Sequence, residues 1–198
     1  MKYLQNTAIW LTALLLFAFS GCNQKPAGEH TFAIGNKTFL LDGKPFVIKA
    51  AEIHYTRIPA EYWEHRIQLC KALGMNTICI YAFWNIHEQK PGEFDFSGQN
   101  DIAAFCRLAQ KYDMYIMLRP GPYVCSEWEM GGLPWWLLKK DDIKLRTNDP
   151  YFLERTKLFM NEIGKQLADL QITKGGNIIM VQVENEYGSY ATDKEYIA

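Results

Sequence analysis

The sequence predicts an α/β fold of the (β/α)8, or TIM barrel, class, with about the first four β/α units contained in its 198 residues. Three observations predict it. Apolar strand-like runs alternate with segments of helical period four times along the chain. The runs are apolar throughout rather than alternating, as parallel strands covered on both faces are. Each run then ends in a cluster of carboxylates, amides and aromatic rings, namely EIHYTR, YAFWNIHE, LRPGPYVCSEWE and QVENEYG. A doubly wound sheet would normally bind a nucleotide through a Gly-rich first turn, whereas the first run here leads into EIHYTRIP. A barrel keeps its chemistry at the C-terminal ends of several strands and typically takes about 250 residues, so roughly half of one is present.

The first 22 residues form a separate segment. Lys2 supplies a positive charge, and Ala8 to Ser20 is almost wholly apolar but short for a membrane span. Phe19-Ser20-Gly21-Cys22 then places small residues before a cysteine, as in a bacterial lipobox. Residues 1–22 are therefore expected to be a lipoprotein signal with Cys22 as the lipid acceptor, the alternatives being a plain secretory signal cleaved nearby or an uncleaved anchor. Residues 23–30 (NQKPAGEH) are expected to be a polar tether, and residues 31–198 the partial barrel. The expected location is the bacterial cell envelope, periplasm or outer membrane, with the membrane as partner through the anchor.

Past the tether, Phe32 to Leu41 and Asp42-Gly43 read as a β-ribbon and turn. Phe46 to Tyr55 is the first strand, and the helix from Pro59 to Leu73 repeats Trp63, Ile67, Cys70 and Leu73 before Gly74 closes it. Thr77 to Trp84 is the second strand, followed by a helix over Asp101 to Tyr112 with Ile102, Phe105, Cys106 and Ala109 inward. Met114 to Leu118 is the third. Asp149 as N-cap and Pro150 at the first position open a helix to about Gln171, with Phe152, Phe159, Ile163, Leu167 and Leu170 inward. Gly175-Gly176 break the chain before the fourth strand, Asn177 to Val183.

Composition narrows the function. A net charge of −1 with scattered basic residues offers no basic face for nucleic acid. The 14% aromatic content supplies core, and also rings that can stack on sugars. Cys70, Cys79, Cys106 and Cys125 lack CxxC spacing or a suitably spaced His, so buried free thiols are expected rather than a zinc site.

Cleaving a glycosidic bond takes one carboxylic acid to protonate the departing oxygen and a second carboxylate across the anomeric carbon. Glu186, after Asn185 and beside Tyr187 at a strand end, is the best candidate for the acid. Partial desolvation there would keep it protonated for that task. Glu184 competes, because a two-residue offset in a strand points both side chains the same way. An isolated Glu after a strand is more often a solvated loop residue, so position alone is a weak argument.

VQVENEYGSY, LRPGPYVCSEWEMGGLPWWLL, YAFWNIHEQKPGEFDF and EIHYTRIP, spread from about Phe39 to Tyr190, resemble the successive signatures of glycoside hydrolase family 35, the β-galactosidases. The resemblance implies retaining hydrolysis of terminal β-linked galactose in oligosaccharides or glycans, with no metal or organic cofactor. It implies that Glu186 is the proton donor and later the general base. Asn185 would contact the sugar at its 2-hydroxyl, Tyr81 would touch the sugar, and Glu127 would accept its hydroxyl hydrogens. Simple packing of Tyr81, a turn role for Asn185 and an ion pair between Glu127 and Arg119 are the plain alternatives. His54, Trp84, Asn85, His87, Glu88 and Trp128 would surround the pocket. The resemblance places the nucleophile downstream of ENEYG, after the seventh strand, so the 198-residue chain is expected to be inactive by itself. Two rival functions remain at this point: another barrel β-glycosidase acting on mannosides or glucosides, and a surface lipoprotein that binds glycans without cleaving them.

Overall fold

The computed structural model describes residues 28–198; Cys22, the signal segment and most of the tether lie outside them. Three short strands come first, β1 (Phe32–Ile34), β2 (Phe39–Leu41) and β3 (Lys44–Phe46), in an antiparallel sheet of order β1-β2-β3. Asp42 and Gly43 both have positive φ, 52° and 73°, which suits the tight turn between β2 and β3. Phe32 stacks on Phe39 at 5.4 Å, and Phe46 meets Tyr115 edge-on at 5.4 Å. Tyr115 is the first residue of a barrel strand, so the ribbon touches the main sheet at its N-terminal end.

The main sheet is parallel, in the order β4 (Ala50–Glu52), β5 (Thr77–Tyr81), β6 (Tyr115–Arg119), β7 (Ile178–Val181). Helices α1 (Trp63–Ala72), α2 (Ile102–Lys111) and α3 (Pro150–Leu167) connect successive strands, and each packs on the next. Sequential strand order with neighbouring helices in contact puts the helices on one face, as in a barrel and unlike a doubly wound sheet. The β5 residues are buried throughout. Ile78, Ile80, Ile116 and Ile178 meet Trp63, Ile67, Phe105, Phe152, Phe159 and Ile163 in one core.

Local signals place the helices closely. Asp101 accepts from Ala104 N at 2.7 Å and Asp149 from Phe152 N at 2.9 Å, each satisfying an end N–H. Gly176 is required by packing, since an added Cβ would sit 2.0 Å from the Leu170 carbonyl oxygen.

Other expectations are corrected. The first strand is Ala50–Glu52 rather than Phe46 to Tyr55, because Phe46 pairs into the ribbon and Tyr55 begins a 3-10 turn. Leu73 is 76% exposed, lying past the last turn of α1 rather than on its buried stripe. The fourth strand stops at Val181, and Val183 is 74% exposed. The four described cysteines are free, with Cys79 and Cys106 buried and Cys70 and Cys125 half-buried. Burial pushes the Cys79 thiol up to about 11 and the Cys106 thiol up to about 12, which keeps both protonated and inert at neutral pH.

Candidate active site

Three of the four barrel strands end on a residue of one polar cluster. Glu52, Tyr81 and Arg119 are the last residues of β4, β5 and β6. Tyr81 and Arg119 are register partners, and Glu52 pairs with Cys79, two residues before Tyr81. Parallel register thus brings the three side chains together at the C-terminal edge. Tyr81 donates its hydroxyl hydrogen to Glu52 Oε2 at 2.9 Å, and Arg119 Nη1 reaches the same oxygen at 3.4 Å. The Arg119 guanidinium lies 4.2 Å from the Tyr81 ring centroid and also donates to the Tyr81 hydroxyl oxygen. His54 bonds Glu52 Oε1 at 2.9 Å and meets the Tyr81 ring edge-on at 4.9 Å.

The end of β7 joins this cluster through Asn185. Arg119 Nη2 donates to Asn185 Oδ1, and Gln182 Nε2 donates to the same oxygen at 3.3 Å. With its oxygen engaged, Asn185 keeps its Nδ2 hydrogens free of protein partners among the described residues, ready to donate to a ligand. Asn185 and Tyr81 are both buried, so they are fixed before any ligand arrives.

Glu184 and Glu186, equivalent by strand alternation, are separated by the backbone. Residues 182–186 are not strand, and Glu184 and Glu186 adopt left-handed conformations, φ 58° and 50°. Glu184 turns into a buried ion pair with Arg146, whereas Glu186 is exposed. The expected partial desolvation of Glu186 is therefore corrected: β7 is the last strand of the described sheet, and nothing among the described residues covers its far side. Glu186 does face protein on one flank, where its charge helps hold the Tyr123 hydroxyl above its ordinary range, after the larger effects of a Cys125 hydrogen bond and burial.

Glu127 sits on the long loop after β6, in a left-handed run of Cys125, Ser126 and Glu127 with φ 61°, 56° and 45°. Its side chain is exposed and makes no ion pair with Arg119, which bonds Glu52 instead. The loop is held by Arg57, whose Nη2 donates to the carbonyls of Ser126 at 2.7 Å and Glu127 at 3.2 Å. Arg57 also lies over Trp128 at 4.7 Å, and Trp128 donates to Asn85 Oδ1 at 3.0 Å. Tyr81, Phe83, Val124 and Trp128 pack together, which links the Glu127 loop to the Tyr81 cluster. His54, Asn85 and Trp128 thus belong to the rim. Trp84, His87 and Glu88 do not, since all three are fully buried in the layer between sheet and helices. Glu52, Arg57 and Arg146 escaped the sequence reading. Arg119 entered it only as a partner for Glu127. Glu52 and Arg119 had a signal, a charge on the last residue of an otherwise apolar strand, whereas Arg57 and Arg146 lie outside the strands and had none.

No group of three or more His, Cys, Asp or Glu side chains among the described residues is placed to hold a metal ion. No described helix is long and apolar enough to cross a membrane.

Comparison with known proteins identifies the family and the fold. The family model for glycosyl hydrolases family 35 matches residues 38–198. The chain belongs to that family. A β-galactosidase of Xanthomonas manihotis is 45% identical over 195 residues, 98% of this chain and 33% of the relative. A β-galactosidase of Canis lupus familiaris is 42% identical over 192 residues, 96% of this chain and 29% of the relative. The chain therefore spans about a third of the length of these curated relatives. Among solved structures, the exo-β-1,4-mannosidase Op5Man5 of an Opitutaceae bacterium, strain TAV5, superposes with TM-score 0.61 at 20% identity, over 76% of this chain and 28% of that one. That likeness speaks to the fold alone: the family 35 chain forms the first four strands and their three connecting helices of a (β/α)8 barrel.

Proposed function

We propose that this family 35 chain carries the acid/base half of a retaining β-galactosidase that releases terminal β-linked galactose from oligosaccharides or glycans. The observation that carries the reading is the Asn185-Glu186 pair, tied through Arg119 to Tyr81 at the C-terminal strand ends. The names of the relatives supply the sugar.

Glu186 protonates the glycosidic oxygen as its bond to the anomeric carbon breaks, and the alcohol leaves with that proton. A carboxylate about 5–5.5 Å away attacks the anomeric carbon and forms a glycosyl ester. Glu186, now ionised, takes a proton from water as the water oxygen attacks the same carbon. Galactose departs and both carboxyl groups return to their starting states. No residue among 28–198 is assigned as that second carboxylate. Asn185 Nδ2 donates to the sugar 2-hydroxyl, a bond that strengthens in the transition state. Tyr81 contacts the sugar, and Glu127 accepts from hydroxyl groups, which an ionised carboxylate does well. No metal or organic cofactor enters these steps.

Full-length protein should hydrolyse nitrophenyl β-galactoside at least about tenfold faster, in kcat/KM, than the glucoside or mannoside, since an epimeric hydroxyl leaves buried polar groups unpaired. Equal rates would remove the galactose assignment. Glycan binding without turnover of any of the three would favour a non-catalytic binder.

We also propose a lipid anchor at Cys22, supported by the apolar run and the Ser20-Gly21-Cys22 sequence. Cys22→Ala should move the protein from the membrane fraction to the soluble fraction of the envelope. Unchanged fractionation would contradict it.

A further inference from the structure

The turn that presents Asn185 and Glu186 contains two non-glycine residues in the left-handed region, at φ 58° and 50°. Such residues hold their conformation only where the surroundings impose it. Arg146, on the loop before α3, supplies that constraint. Its Nε and Nη2 donate to the Glu184 carboxylate at 3.2 and 2.8 Å, and Nη2 donates again to the Asn185 carbonyl at 2.6 Å. The Glu184 carboxylate also accepts from Asn185 N at 2.8 Å and from the Tyr196 hydroxyl at 2.7 Å. The Tyr187 hydroxyl donates to the Arg146 carbonyl at 3.0 Å. The guanidinium lies 4.1 Å from the Tyr123 ring and 4.3 Å from the Tyr190 ring, and both ionic side chains are buried, at 5% and 3% exposure.

We propose that Arg146 is a positioning residue for Glu186: acting through Glu184 and the Asn185 carbonyl, it fixes the direction in which the acid/base side chain leaves its turn. The inference rests on the acid/base reading of Glu186. Every hydrogen bond on the acidic side of the clamp falls on the residues immediately before Glu186, and none reaches Glu186 itself. That leaves the Glu186 carboxyl free to exchange protons while its Cα is held. A lysine keeps the charge but loses the bidentate fork and the flat stacking surface, so Arg146→Lys tests geometry rather than charge.

The experiment uses the full-length enzyme and two substrates, methyl β-galactoside, whose alkoxide needs a proton to leave, and dinitrophenyl β-galactoside, whose phenolate does not. Arg146→Lys should lower kcat/KM for the methyl substrate about tenfold to a hundredfold more than for the dinitrophenyl one, as displaced catalytic groups do. Tyr196→Phe, which removes one hydroxyl from Glu184, should shift the ratio in the same direction by less, and it decides the matter alone if Arg146→Lys does not fold. A clamp that only stabilises the fold would lower both substrates equally, and equal losses in the folded variants overturn the inference. Glu186→Ala is the reference. If it discriminates between the substrates and the clamp variants do not, the positioning role alone fails. If it does not discriminate, the acid/base reading fails and takes the inference with it.

Discussion

Glu186→Gln in the full-length enzyme should lower turnover of an unactivated galactoside by about a hundredfold to ten-thousandfold, the usual contribution of a positioned proton donor. The amide keeps the shape of the carboxyl but has no proton to give and cannot take one from water. Stability should be almost unchanged. Glu186 is exposed and its side chain holds no hydrogen bond among the described residues, so its replacement strands no buried partner. This separates it from Glu184, two residues earlier, which is buried and bears four hydrogen bonds. Changing Glu184 would disturb the turn and the fold together. Denaturation midpoint and turnover measured on the same preparation distinguish the two cases.

Glu88→Ala should be the most destabilising single change in the second β/α loop, by about 3–5 kcal/mol, because it leaves a buried cation without its partner. Glu88 is fully buried at the end of YAFWNIHE, and Arg155 from α3 reaches its Oε1 with only 14% of the arginine side chain exposed. Trp84 Nε1 donates to Oε2 at 2.6 Å and Gly92 N to Oε1 at 2.7 Å, while Trp136 Nε1 bonds the Glu88 carbonyl at 2.9 Å. Truncation would orphan the guanidinium, an indole N–H and a backbone N–H at once. Glu88→Gln, which keeps an acceptor oxygen, should cost less. Chemical denaturation of the two variants against the parent checks both size and order. Parity of Glu88→Ala with the parent would show that water or a neighbour takes over the vacated bonds.

What the sequence disclosed was local, and what it hid was long-range. Asp149-Pro150 announces a helix start because a cap acts within three residues, and that cap forms; Asp101, read only as the first residue of its helix, proves to cap it as well. The buried stripe Phe152, Phe159, Ile163, Leu167 follows from helical period alone. Leu73 fits the same period and still ends exposed, since period cannot say where the last turn stops. Glu52 and Arg119 lie 67 positions apart, and only parallel register joins them. Glu184 and Glu186 were inseparable because their contrast depends on two left-handed residues and on an arginine 38 positions upstream. The gathering of Tyr81 and Asn185 was legible as chemistry at strand ends, whereas Arg119 as the side chain that joins them was not.

The most direct test of Glu186 as acid/base is the product formed when Glu186→Ala in the full-length enzyme meets dinitrophenyl β-galactoside and sodium azide. With the acid/base removed, the activated phenolate still leaves and a glycosyl ester forms on the other carboxylate. Azide then enters the space of the missing side chain and attacks from the face water would use. The account predicts restored turnover with β-galactosyl azide as the product. No rescue, or α-galactosyl azide, which would mark Glu186 as the nucleophile, would contradict it.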